Sequence, residues 1–345
     1  MATSSSITQS NSAPFGMHPS GKEILCYTLS SLSGMELKVI NYGATLVSLK
    51  VPTKNGAKID VVLGFDNLSD YIKSYDLPSA PYIGALVGRY AGRINQAQFK
   101  LNNETISLTK NHNQHQLHGG FEGFSTAIWN VIAVAANSIT LEYCSKNGEE
   151  NYPGEVITQV TYLLTDAMEL KIAITAKSDQ KTPINLTQHS YFNLDGHQET
   201  IENQVLYVNS KAVLETTNEN IPTGILTSLK GHDFDFSIQK KCPTSIDNTF
   251  ALTHEDEFAA SLYSSKNNIK MSVITNQPGV HIYVGGNCFN QLKGKENAVY
   301  NALSGICFET QNFPDAPNHE NFPNSILKKG ATYIHNTTFK FEIFE

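Results

Sequence analysis

The chain has 345 residues, enough to bury a sizeable core, and is 40% hydrophobic and 17% charged, which excludes a disordered or collagen-like polymer. Its formal net charge of -7 excludes the clustered positive charge of a nucleic-acid or anionic-membrane surface, so a small neutral ligand fits better. Within the 25 Lys plus Arg residues, only Arg89 and Arg93 are arginine. Lysine has no equivalent of a planar fork with five donors, so these two mark either a geometric demand or codon bias.

The first residues, MATSSSITQSNS, contain no basic region followed by an apolar stretch, so a secretory signal is not expected. A frayed polar tail is expected over residues 1–14, followed by one β domain over 15–345. The five cysteines, Cys26, Cys144, Cys242, Cys288 and Cys307, form no Cys-x-x-Cys pair. Neither a disulfide framework nor a zinc knuckle is therefore indicated. With reduced thiols and no 18-residue apolar run, a cytoplasmic protein without a membrane segment is expected.

After the tail, short alternating segments rich in β-branched and aromatic residues predict strands at Glu36–Ile40, Ser138–Tyr143, Glu155–Leu164 and Glu169–Thr175. Turn signals such as Lys54–Gly56, Lys146–Gly148 and Pro278–Gly279 punctuate the chain, and no long stretch has helical periodicity. The expected fold class is all-β, a large antiparallel sandwich or barrel without internal repeats.

Four segments carry possible chemistry. Asn111–Gly120 (NHNQHQLHGG) places His112, His115 and His118 three apart. On a helix that spacing suits zinc, but the Gly-Gly ending and the lack of an adjacent carboxylate or thiolate weaken that reading, and no metal site is expected. His118 beside the flexible glycines is the better candidate for ligand hydrogen bonding. Pro183–Leu194 (PINLTQHSYFNL) is expected as a strand with Asn185, Thr187, His189, Tyr191 and Asn193 on one face and mainly apolar residues on the other. Pro278–Val284 likewise sets His281 and Tyr283 opposite Val280, Ile282 and Val284, while Ser304–Asn312 sets Cys307, Glu309 and Gln311 opposite Ile306 and Phe308. Each polar face is either solvated or one wall of a pocket. A phosphate-cradling G-x-x-x-x-G-K-[ST] loop and a G-x-S-x-G elbow are both missing, which argues against nucleotide cofactors and serine-hydrolase chemistry.

Seven stretches in order resemble the aldose 1-epimerase family, the galactose mutarotases: Gly84–Ile94 (GALVGRYAGRI), Leu117–Gly120 (LHGG), Asn151–Glu155 (NYPGE), Asn185–Leu194, Ile221–Gly224 (IPTG), Gln277–Val280 (QPGV) and Phe308–Asp315 (FETQNFPD). The resemblance implies a large antiparallel β-sandwich and the interconversion of α and β anomers of free hexoses without metal or organic cofactor. It implies Glu309 as general base and His189 as general acid, with Arg93, His118, Tyr191, Asp247 and His281 binding the sugar and Arg89 serving structure, for example with a nearby carboxylate. The implied partner is a hexose rather than nucleic acid or membrane, and the chain is expected as a monomer or weak dimer. Three departures bear on substrate: Gly92 where many members have Asn, His281 where glutamine is usual, and Ser245–Phe250 (SIDNTF) in place of Asp followed by His. Two other functions suit the same pocket, a non-catalytic sugar-binding regulator and a phosphosugar 1-epimerase. The latter needs a cationic clamp for which arginine is scarce. A paired-carboxylate glycosidase fits worse, because Asp247 has no evident role beyond hydroxyl binding.

Overall fold

A computed structural model of the chain describes residues 12–254, 258–285 and 291–344. Strands form where side chains alternate. In Glu169–Ser178, Leu170, Ile172, Ile174 and Ala176 are buried while Lys171, Ala173, Thr175 and Lys177 are exposed. Burying each Leu or Ile contributes roughly 1.5–3 kcal/mol, which fixes the face turned inward. Val156–Thr165 repeats the pattern and pairs with it antiparallel from Val156↔Ser178 to Thr165↔Glu169.

These two strands lie in a nine-stranded sheet that runs from Asn130–Val134 at one edge to Lys240–Lys241 at the other, with the long C-terminal strand Thr332–Ile343 near its middle. A six-stranded sheet places side by side Tyr191–Phe192, Ile306–Gln311, Gly279–Val284, Ile246–Leu252, Ser210–Thr216 and Pro222–Ser228. A five-stranded sheet covers residues 12–60, and its neighbours are consecutive in the chain. Leu170 and Phe339 of the first sheet, Val280 and Phe308 of the second, and Leu37 and Val39 of the third share one apolar cluster. The fold is therefore the expected antiparallel sandwich, with all three sheets turned onto one core.

Three local expectations change. Ser12–Met17, whose first three residues were expected in the tail, pairs with Glu23–Ser30 as an edge strand. Pro183–Leu194 is not one strand but three two-residue pieces, Thr182–Pro183, Thr187–Gln188 and Tyr191–Phe192, each paired with a different strand. A seven-residue helix, Leu68–Ser74, also forms: the Asn67 side chain caps it by accepting from the Asp70 N–H, and Leu68 and Tyr71 turn inward. Cys26, Cys144, Cys242 and Cys307 form no disulfide among the described residues, and Cys288 lies outside the described residues. Among the described residues, no helix is long and apolar enough to cross a membrane.

Candidate active site

The six-stranded sheet supplies one wall of the site. The strand Ile306–Gln311 is buried along its whole length, with Ile306 and Phe308 in the core and Cys307, Glu309 and Gln311 on the opposite face. Its neighbour Gly279–Val284 pairs so that His281 lies directly across from Glu309, and the next strand places Thr249 across from His281.

A buried irregular segment supplies His189. Its N–H donates to the Ala85 carbonyl at 2.9 Å, and its carbonyl accepts from the Gly84 N–H at 2.8 Å. The imidazole Nε2 stands 3.4 Å from Glu309 Oε1, and Nδ1 stands 3.7 Å from Cys307 Sγ. Tyr82 and Tyr191 lie near its faces, with ring centroids at 6.1 and 5.3 Å. His118 meets it nearly edge-on at 5.5 Å.

His118 is brought in by the Gly-Gly turn. Gly119 has a φ of +88°, and a Cβ there would overlap the Gly88 carbonyl, so only glycine lets the two backbones approach this closely. The His118 Nδ1 accepts from the Gly92 N–H at 3.2 Å, which leaves Nε2–H as a donor. Burial and the neighbouring His189 and Arg93 charges push His118 well below the ordinary imidazole range, so it is neutral. His118, His189 and Glu309 bring three donor atoms within 4.8 Å of one another. The His118 tautomer, with its proton on Nε2, suits a ligand oxygen rather than a cation. The three histidines spaced three apart do not converge: His112 and His118 line the cavity, whereas the buried His115 accepts from the Gln96 N–H and faces Glu219 at 3.5 Å.

Arg93 sits in a two-residue strand paired with Gln116–Leu117. Its Nη2 is 3.6 Å from Asp247 Oδ2, and its buried Nε has no hydrogen-bond partner among the described residues. Asp247 also accepts from Asn220 Nδ2 at 2.7 Å and pairs with His281 Nε2 at 2.8 Å. Burial would raise its carboxyl, but the His281 bond and the His281, Arg93 and His118 charges outweigh this and hold it well below the usual carboxylate range.

These groups face a cavity of about 240 Å³ lined by Arg93, His118, His189, Asp247, His281 and Glu309. Tyr191, expected on the same wall, is not among the lining residues; it packs beside His189 and its hydroxyl donates to the Pro81 carbonyl at 2.9 Å. Arg89 is turned away, bonded to carbonyls and to Ser145 rather than to the expected carboxylate. Gly92, with φ +80°, packs on Pro314, where a Cβ would come within 2.8 Å. Tyr82, Asn220 and Thr249 also line the cavity but were not anticipated. The one signal for Asn220 was its place just before Ile221–Gly224.

The arrangement sets a carboxylate and an imidazole side by side at the wall of a polar cavity, with an incompletely used guanidinium nearby. It is suited to moving protons on a polyhydroxylated molecule.

The family model described as aldose 1-epimerase matches residues 25–340. The galactose mutarotase of Mus musculus is 36% identical over 340 residues, covering 95% of this chain and 97% of the relative. The aldose 1-epimerase of Haemophilus influenzae is 34% identical, covering 94% and 97%. Among solved structures, an aldose epimerase homologue from C. elegans superposes with a TM-score of 0.87 at 29% identity, covering 93% of this chain and 99% of that one.

Proposed function

This chain belongs to the aldose 1-epimerase family, and we propose that Glu309 and His189 carry out its reaction as base and acid. It is an isomerase, a mutarotase interconverting the α and β anomers of hexoses. The observation that carries the catalytic assignment is the 3.4 Å approach of His189 Nε2 to Glu309 Oε1 at the cavity wall.

Glu309 takes the proton of the C1 hydroxyl while His189 protonates the ring oxygen. The C1–O5 bond breaks, and C1 becomes an aldehyde. Rotation about C1–C2 turns the carbonyl over. Reclosure then runs both transfers in reverse, O5 giving its proton to His189 and the new C1 oxygen taking one from Glu309. Each such group contributes roughly a hundredfold to ten-thousandfold in rate. Arg93, through its unpartnered Nε, and His118, through Nε2–H, donate to the sugar and hold it. Asp247 accepts a hydroxyl. Tyr191 supports the His189 ring from outside the cavity wall.

Galactose and glucose are the proposed substrates, galactose because relatives of this identity are named for it. Among the described residues lining the cavity, Arg93 is the one Lys or Arg, which disfavours a phosphosugar, whose phosphate calls for a cationic clamp. Action in the cytoplasm is proposed on the scattered cysteines, which form no Cys-x-x-Cys pair, and a monomer or weak dimer is proposed with it.

Polarimetry on freshly dissolved α-D-galactose and α-D-glucose tests the assignment. The protein should accelerate both, and Glu309→Gln should lose at least about a hundredfold while staying folded. A variant as fast as the wild type would remove Glu309 as base.

A further inference from the structure

His281 occupies the middle of a row across three strands, between Thr249 and Glu309. Both of its ring nitrogens are engaged: Nδ1 with Thr249 Oγ1 at 2.8 Å, and Nε2 with Asp247 Oδ1 at 2.8 Å. An imidazole has two nitrogens and no other polar atom, so none remains for a sugar hydroxyl. Asp247 in turn spends Oδ1 on His281, while Oδ2 meets Asn220 and Arg93.

We propose that His281 is not a sugar ligand but a positioning residue, which fixes Asp247 and makes sugar affinity fall as His281 loses its proton. The proposal rests on the cavity being the sugar site. As imidazolium, His281 donates from both nitrogens. When neutral, it still donates to Asp247 from Nε2 and accepts the Thr249 hydroxyl at Nδ1. The geometry therefore survives titration and only the charge changes. With the charge present, Asp247 is held by an ion pair and Glu309 has a cation on the adjacent strand. Without it, Asp247 keeps one neutral hydrogen bond there, and the carboxylate that meets the sugar is held less firmly.

The charged and titratable groups facing His281 are Asp247 on one neighbouring strand, Glu309 on the other, and Arg93 and His118 from the remaining walls of the cavity. Burial lowers its proton affinity and Arg93 adds to that, but the bond to Asp247 and the Glu309 and Asp247 charges prevail and leave it above the ordinary imidazole value. The direction follows: firm anchoring is present while the imidazolium persists and is lost as pH rises through its raised value.

The test measures the affinity for equilibrated D-galactose by calorimetry and KM with kcat by polarimetry, from about pH 6 to about pH 9. Wild-type Kd and KM should rise about fivefold over that range. His281→Gln donates to Asp247 without titrating, so its Kd and KM should stay flat within about twofold, near the wild-type alkaline value, while the kcat profile keeps the wild-type shape. His281→Ala should raise KM about tenfold at acidic pH and lower kcat less than about threefold. Thr249→Val, which removes the Nδ1 partner, should weaken binding while keeping a pH dependence. Parallel Kd profiles in wild type and His281→Gln, with both enzymes active, would overturn the role of His281 and leave the sugar site standing. A folded wild type that neither binds nor mutarotates galactose would overturn both.

Discussion

Arg89 and Arg93 lie four residues apart, yet their guanidinium groups live in opposite conditions. Arg89 is 1% exposed and spends all three nitrogens inside the protein, on the Ser145 hydroxyl and on the carbonyls of Ser145, Lys146, Pro153 and Gly154. Arg93 keeps a buried Nε without a partner, and its nearest carboxylate oxygen is 3.6 Å away. A buried donor left unpaired costs free energy unless a ligand satisfies it, so the incomplete fork belongs to the site and the complete one to the scaffold. The same contrast separates two buried histidines. His335 is enclosed by the hydroxyls of Thr310, Thr337 and Tyr333, whereas His189 stands beside the Glu309 carboxylate at the cavity wall. Residue type alone does not separate site from scaffold; a place at the cavity wall, together with the partners each side chain keeps, does.

The largest expected effect is at the scaffold arginine. Arg89→Lys cannot reach five acceptors and strands buried carbonyls, which should cost about 3 kcal/mol in chemical denaturation. Its kcat at a temperature where it remains folded should stay within about threefold of wild type. A stable Arg89→Lys with a crippled kcat would reverse the two roles. Next comes Arg93→Lys, which retains the charge but loses the fork: kcat/KM for galactose should drop about thirtyfold, roughly 2 kcal/mol, at unchanged stability. A wild-type rate would make the pair of arginines an accident of codon usage.

The smallest effect concerns the histidines. Burial drives His335 down to about 3, so the folded protein holds it neutral while the unfolded chain takes up a proton near pH 6.5. Its contribution to stability is intact above the unfolded value and is lost as pH falls toward the folded one. The stability advantage of wild type over His335→Gln should therefore shrink by about 1 kcal/mol between about pH 6.5 and about pH 5.5. A pH-independent gap would show that this histidine is not held neutral.

The sequence made the half-buried strands legible because alternation is their physical cause: Glu36–Ile40 was expected with the bounds it has, and Glu169–Thr175 only falls short of Ser178. Pro183–Leu194 misled because it threads the interior, where every residue from Pro183 to Leu194 is buried and period two no longer separates core from solvent. Helix Leu68–Ser74 spans seven residues, too few to display a 3.6-residue period. At the site, Arg93, His118, His189, Asp247, His281 and Glu309 were named in advance and line one cavity. Tyr191 stands behind His189 instead. Asn220 and Thr249 escaped notice because their importance lies in contacts with residues 27 and 32 positions away, which no local pattern encodes. The engagement of both His281 nitrogens was hidden for the same reason.

The strand order in the six-stranded sheet also acts as a gauge. Asp247 and Glu309 stand on strands separated only by the His281 strand, Asp247 pairing with Tyr283 and Glu309 with His281, and two strand spacings with a two-residue offset along the strand amount to about 12 Å. That is roughly a pyranose ring with a hydrogen bond at each end. The backbone ladder, rather than any side chain, thus meters the length of molecule that can touch both groups at once. Point substitutions can retune which hydroxyl is favoured, but acceptance of a much shorter or longer skeleton would require a different number of strands between them.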